Sequence, residues 1–372
     1  MSCFEKRCDK AQKIMAQKEI DYLFLGCGSD MKYLSNYECN PSERLSLFIL
    51  PAEGKPTLVA PAFELPRLKL SAVSIFFDLM PWEETVDPIS LVADLVDHTK
   101  PATIALDGKH WGMFIVQYLQ RLPKARFVST SSVLGGMRLR KDPEEIRSLE
   151  QLGRALDKVW EEALTLDYSG RRETELQADL FELKKRIFQP PVELSPRGEH
   201  RPTSGTNSSS AHGGGSDKVI QPGDAIYWEV GRGRCNGYIG DKTRSVQVSP
   251  ATEEYKNVYE IVKSAQQTAF EAVRPGVTCE SVDLAGRRVI EKAGYGEYFT
   301  HRIGHGLGLD VHEPPYIVSG NRRKLEPGMV FSVEPGIYLP DKWGIRIEDI
   351  VHVTEDGAES FYKSSKEFHE VK

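Results

Sequence analysis

Three β-rich segments in the second half of the chain, 225–248, 304–318 and 329–353, each set acids or histidines inside apolar runs. Burying an unpaired carboxylate among apolar residues is costly, so this pattern demands a cation or a hydrogen-bonding partner. It restricts the fold to one that gathers these strands around shared polar chemistry. Two stretches of helical apolar period, about 253–273 and 280–293, separate the segments, and the last two segments follow the second helix.

The first segment runs Ile226-Tyr227-Trp228-Glu229-Val230-Gly231, then Asn236-Gly237, then Tyr238-Ile239-Gly240-Asp241-Lys242-Thr243-Arg244. Asn-Gly between two apolar stretches is a strong hairpin signal, so Glu229 and Asp241 are expected on neighbouring antiparallel strands where two acids can converge. Two solvent-facing strand acids are the plainer alternative. The second segment, His301-Arg302-Ile303-Gly304-His305-Gly306 through Val311-His312-Glu313, concentrates three of the 9 histidines. Glycines on both sides of His305 let backbone or substrate approach its ring; a metal ligand and a merely satisfied polar histidine both fit. In the third segment Glu334 follows Val330-Phe331-Ser332-Val333, and Glu348 follows Gly344-Ile345-Arg346-Ile347. A pair of divalent ions would answer both glutamates, and so would an ion pair with Arg346.

At 372 residues the chain is long for one core, which favours two domains. The first part reads as an α/β layer, with helices at 4–17 and 112–122 and strands at 21–25, 47–50, 56–59 and 103–107, and it holds no catalytic constellation. The boundary is expected near 134–142, giving domains 1–134 and 135–372. There Asp142 can cap a helix, Pro143 suits its first position and Glu145 can return the capping bond. Ile146, Leu149, Leu152, Leu156, Val159, Trp160 and Ala163 continue the helical stripe. Residues 194–218, rich in Ser, Gly, Pro and Asn, read as a long loop, and loops of that length usually serve a site.

The 40% hydrophobic and 27% charged composition is that of a globular protein. A net charge of -6 without a block of five Lys or Arg disfavours nucleic acid as a partner. No run approaches the ~18 apolar residues of a membrane helix, and residues 1–20 lack the apolar core of a signal peptide. The 6 cysteines, Cys3, Cys8, Cys27, Cys39, Cys235 and Cys279, form no CxxC pair and are expected as the reduced thiols of a cytoplasmic protein.

In order, these segments resemble the pita-bread metallopeptidases of the methionine aminopeptidase, prolidase and creatinase type, and among them the short Xaa-Pro dipeptidases and Xaa-Pro aminopeptidases. The family pattern is an acid in a strand ending in glycine, an acid before Thr-Arg, a histidine in Gly-His-Gly-x-Gly, a glutamate before Pro-Gly and a glutamate after Gly-x-Arg. The resemblance implies a two-domain α/β protein, a creatinase-like α/β domain followed by an α+β pita-bread catalytic domain. It implies Glu229, Asp241, His305, Glu334 and Glu348 as ligands of two divalent metal ions, manganese first, with cobalt, iron or zinc as alternatives. Xaa-Pro bonds of a small peptide would be cleaved by a metal-bridged hydroxide. Glu334 would move the proton, His212 and His312 would hold substrate and stabilise the tetrahedral intermediate, and His301 would join them in binding substrate. Arg346 would orient a metal-binding acid, and a homodimer is expected.

The chain departs from the family at the first ligand, where Glu229 stands in place of aspartate and the hairpin looks one residue longer. That departure opens a second reading, a creatinase-like hydrolase or lyase of small non-peptide molecules on the same fold. A non-catalytic binding protein is the reading from another class, and retention of Asp241, His305, Glu334 and Glu348 argues against it.

Overall fold

Ser2 accepts a hydrogen bond from the Glu5 amide, and Glu5 returns one from the Ser2 amide. This capping box starts the helix Cys3–Gln17, which leads into the strand Tyr22–Leu25. The structure is a computed structural model in which residues 2–70, 76–97, 100–196 and 202–372 are described. It divides into two compact units, residues 1–138 and 139–372.

In the first unit six strands form one mixed sheet, in the spatial order Asp78–Trp82, Thr57–Pro61, Leu47–Pro51, Tyr22–Leu25, Thr103–Leu106 and Arg126–Ser129. Tyr22–Leu25 pairs antiparallel with Leu47–Pro51 and parallel with Thr103–Leu106. Phe24, Leu47, Ile49, Val59 and Ile104 from these strands share one core with Ile89, Val92, Phe114 and Tyr118 from the helices Pro88–Asp94 and Gly112–Arg121. Strands with both neighbours paired read as continuous apolar runs, which is why Leu23, Phe24 and Leu25 are all buried. The six cysteines are not all reduced thiols, contrary to expectation. Cys27 and Cys39 are joined by a disulfide across Cα atoms 5.3 Å apart, and Cys3, Cys8, Cys235 and Cys279 stand outside any disulfide. The helix Ser29–Ser35 turns the chain between the two cysteines and brings them together, a closure that sequence spacing does not reveal.

The second unit opens with the helix Pro143–Ala163. The Asp142 carboxylate accepts from the amides of Glu144 and Glu145, each at 2.9 Å, and Glu145 accepts from the Asp142 amide at 2.7 Å. Glu145 also accepts from the Tyr238 hydroxyl at 2.6 Å, which ties the helix start to the first β segment. A five-stranded antiparallel sheet runs Glu313–Ile317, Gly304–Gly306, Val330–Val333, Asp349–Val353 and Ala358–Ser360. A second sheet orders Glu370–Val371, Thr243–Val248, Ala225–Glu229 and Thr203–Ser204. Helices Glu253–Ala272 and Cys279–Lys292 give Val258, Val262, Ala265, Val282 and Ile290 to a core shared with Phe331, Val333, Ile337, Ile345 and Val351.

Two local expectations are revised. Glu229 ends its strand opposite Thr243, so Asp241 precedes the neighbouring strand rather than lying on it. Between them Arg234–Cys235 and Tyr238–Ile239 pair as a small ribbon closed by Asn236 (φ 52) and Gly237 (φ 87). A Cβ on Gly231 would lie 1.9 Å from the Lys242 amide nitrogen, so glycine alone permits the crossing at the base of that ribbon. The stretch 194–218 is not structureless. Thr203–Ser204 pairs antiparallel with Tyr227 and Ile226, and a turn of 3₁₀ helix follows at Gly205–Ser209. Residues 197–201 of that stretch lie outside the described residues. Among the described residues no helix is long and apolar enough to cross a membrane.

Candidate active site

His305 is the middle residue of Gly304–Gly306, a strand hydrogen-bonded on both sides. A Cβ on Gly304 would lie 1.8 Å from the Ser332 carbonyl oxygen, so the glycine is what lets the strand Val330–Val333 close beside the imidazole. His305 Nδ1 lies 3.1 Å from the Gly306 carbonyl oxygen, and Nε2 faces the acids. Glu334 stands one residue beyond Val330–Val333 with its amide donating to the Ile303 carbonyl at 2.8 Å, which puts Glu334 Oε1 3.1 Å from His305 Nε2. Ser332 Oγ donates to that same oxygen at 2.9 Å. Glu348 sits between Trp343–Arg346 and Asp349–Val353, its amide donating to the Thr243 carbonyl at 3.1 Å and its Oε2 accepting from Thr243 Oγ1 at 2.7 Å. Buried Arg244 braces the junction, donating to the Glu348 carbonyl at 2.6 Å and to Asp349 at 2.7 Å.

One ligand atom each from Asp241, His305 and Glu348 lies within 4.8 Å of the others. Glu348 Oε1 is buried and has no hydrogen-bond partner. Burial, reinforced by Glu348, Glu229 and Glu334, holds the Asp241 carboxyl well above the usual carboxylate range against the pull of Arg346. Burial first and Glu334 next push Glu348 to about 8. Burial also raises Glu334, but the hydrogen bond and charge of His305, with Arg346 and His301, bring it down to about 2. Several carboxylates and one imidazole converging on a buried spot, with one oxygen unanswered, form the donor set that a divalent cation satisfies. By this measure the residues fit a metal ion.

The remaining candidates surround the same cavity of about 520 Å³, which is lined by Ala211, His212, Glu229, Arg232, Asp241, His301, Arg302, His305, Val311, His312, Glu334, Arg346 and Glu348. His212 and His312 are exposed at its rim, and the His312 ring stands edge-on to His305 with centroids 4.2 Å apart. His301 forms part of the wall, with Nδ1 2.8 Å from the Arg302 carbonyl oxygen and Nε2 3.0 Å from the Tyr338 hydroxyl. Glu229 is set apart from the tight group. Its Oε2 lies 3.3 Å from Arg346 Nη2 and its Oε1 3.6 Å from Arg232 Nε. Arg346 also donates to Thr243 Oγ1 at 3.1 Å and to the Ala211 carbonyl at 3.0 Å, with the Tyr227 ring beneath its guanidinium. Sequence reasoning missed Arg232 and Arg302 as parts of the wall, and Tyr338 as the partner of His301. Arg302, between two singled-out histidines, was the one with a signal to follow.

Two family models match the chain: Metallopeptidase family M24 over residues 147–355, and the Creatinase/Prolidase N-terminal domain over residues 7–140. A probable dipeptidase PepE of Mycobacterium tuberculosis is 38% identical across 96% of this chain and 94% of its own. An Xaa-Pro dipeptidase of Lactobacillus helveticus is 32% identical across 96% and 97%. The crystal structure of a prolidase from Thermococcus sibiricus superposes with a TM-score of 0.91 at 33% identity, covering 99% of each chain.

Proposed function

The chain belongs to metallopeptidase family M24, and on that premise we propose that it hydrolyses Xaa-Pro bonds of small peptides, as a dipeptidase with Xaa-Pro aminopeptidase as the close variant. The observation that carries this reading is the convergence of Asp241, His305 and Glu348 within 4.8 Å, one carboxylate oxygen unanswered, in a cavity wide enough for a dipeptide. We assign catalysis to domain 135–372, and to the whole a cytoplasmic homodimer. Asp241, His305, Glu334 and Glu348, with Glu229 at the margin, are the residues that would hold two divalent ions, manganese first and cobalt, iron or zinc after it. When bound, such ions would supply Lewis acidity for an attacking water and for the scissile carbonyl.

The chain's own residues do the rest. Glu334, fixed through Ser332 and His305, takes a proton from the attacking water and passes it to the leaving proline nitrogen, so one carboxylate serves as base and then as acid. His212 and His312, at the rim of the cavity, donate hydrogen bonds to the oxyanion that develops on the carbonyl or to the substrate carboxylate. His301, steadied by Tyr338, forms the wall against which substrate rests. Arg346 holds Glu229 and is itself held by Ala211 and Thr243.

Glu229 favours one further reading. A carboxylate engaged by Arg232 and Arg346 has a different reach from the shorter family residue, and a creatinase-like hydrolysis of a small non-peptide molecule would accommodate that change. A panel of Xaa-Pro dipeptides and Xaa-Pro-Xaa tripeptides, given to manganese-loaded and chelated protein, separates the cases. Release from dipeptides alone makes it a dipeptidase, and release from tripeptides an aminopeptidase. Silence on both with metal bound turns the assignment to non-peptide substrates.

A further inference from the structure

A single buried carboxylate clamps both ends of the loop that carries His212. Glu173, the first residue of the helix Glu173–Ile187, is 0% exposed and does not line the cavity. Its Oε1 accepts from the Ser204 amide at 2.6 Å, from Ser204 Oγ at 2.7 Å and from Asn207 Nδ2 at 3.2 Å. Its Oε2 accepts from the Ser216 amide and hydroxyl and again from Asn207 Nδ2. Residues 204 and 216 are thereby held on one side chain, and the segment between them projects as a closed loop.

The far end of that loop reaches the site. Ser208 Oγ accepts from the Gly344 amide at 2.9 Å, the Tyr227 hydroxyl donates to the Ser210 carbonyl at 2.7 Å, and the Ala211 carbonyl accepts from Arg346 Nη1. His212 follows and lines the cavity. We propose that Glu173 is a positioning residue of the hydrolytic site, acting through this loop, which the Ala211 carbonyl anchors on Arg346, to set His212. The inference rests on the peptidase reading for its kinetic consequence, but its structural half stands without it. A carboxylate offers acceptors only, which matches a shell composed only of donors. Glutamine in its place would turn an NH₂ group toward some of those donors, so the loop would lose its clamp while the helix kept its side-chain volume.

The test compares the wild type, Glu173→Gln, His212→Ala and the double variant as manganese-loaded protein on an Xaa-Pro dipeptide, with hydrogen exchange of residues 203–218 measured in parallel. Glu173→Gln is expected to lower kcat/KM about a hundredfold, the scale of a catalytic group displaced by about 1 Å. In the double variant the loss should stay within about twofold of His212→Ala alone, because both changes remove one device. A double variant whose loss is the product of the two single losses would overturn the proposal, as would Glu173→Gln with undiminished kcat/KM. If the wild type releases no product, the peptidase reading fails and exchange decides this one. Exchange of 203–218 faster by about tenfold with the rest of the unit unchanged supports the clamp, and unchanged exchange refutes it. If Glu173→Gln does not fold, Asn207→Leu, which removes a donor to both oxygens from the loop side, carries the same comparison.

Discussion

Glu229 is paired with Arg346: its Oε2 lies 3.3 Å from the guanidinium, whose other nitrogens are taken by Thr243 Oγ1 and the Ala211 carbonyl. The first acid of the family pattern is thus fixed by a rigid fork. The planar guanidinium sets the direction of the carboxylate, and Glu348 follows two residues beyond the end of the strand that delivers Arg346.

Arg346→Lys keeps the charge and loses the fork. A lysine cannot reach Glu229, Thr243 and Ala211 at once. Metal affinity should fall by roughly 10- to 100-fold, the usual cost of removing a group that orients a metal ligand. Metal titration by calorimetry reads this directly.

Asp241→Asn should abolish metal-dependent turnover while leaving the fold intact. Asp241 is crowded by Glu348, Glu229 and Glu334, so removing its charge relieves repulsion. In chelator the melting temperature of the variant should equal or exceed that of the wild type, and addition of manganese should raise it far less. A variant with full activity, or one that gains as much stability from metal, would contradict the site assignment.

Beneath the site, Asp157 accepts from Lys242 Nζ at 2.7 Å and from the Lys363 amide at 2.6 Å, and the Lys242 side chain is fully buried. Burial pushes the Asp157 carboxyl up, but Lys242 and the Lys363 amide outweigh it and hold it below the usual range. A group whose folded pKa is depressed stabilises above its unfolded value of about 4, and the contribution is lost as pH falls through the folded value. Wild-type stability to urea should therefore decline below about pH 4 more steeply than that of Asp157→Asn. At pH 7 the variant, which leaves the Lys242 ammonium uncompensated, should be less stable by about 3–5 kcal/mol.

The parts of the site legible in the sequence were those where a polar residue breaks an apolar rule. Glu334 after Val330–Val333 and Glu348 before Asp349–Val353 stand out because a strand otherwise buried tolerates a carboxylate only for a reason. Asn236-Gly237 announced its turn through the left-handed backbone it needs. The small inner ribbon that moves Asp241 off its strand was not legible, since it depends on how Gly231 crosses Lys242. The edge strand Asp78–Trp82 escaped because four of its five residues are exposed or half-buried and one of them is a proline. Arg232 and Arg302 sit at positions without periodicity, and the partners of Glu173 come from a loop some thirty to forty residues away. Tertiary closure makes those sites, and so it makes the Cys27–Cys39 bond.

The acids around His305 are assigned to a metal-dependent hydrolytic centre, which removal and return of the metal tests. Protein stripped with chelator and freed of it should cleave an Xaa-Pro dipeptide at background rate, then recover on titration with manganese as bound metal, counted by elemental analysis, rises with activity. Full hydrolysis by the stripped protein, with no metal detected, would rule out a metal-dependent centre there.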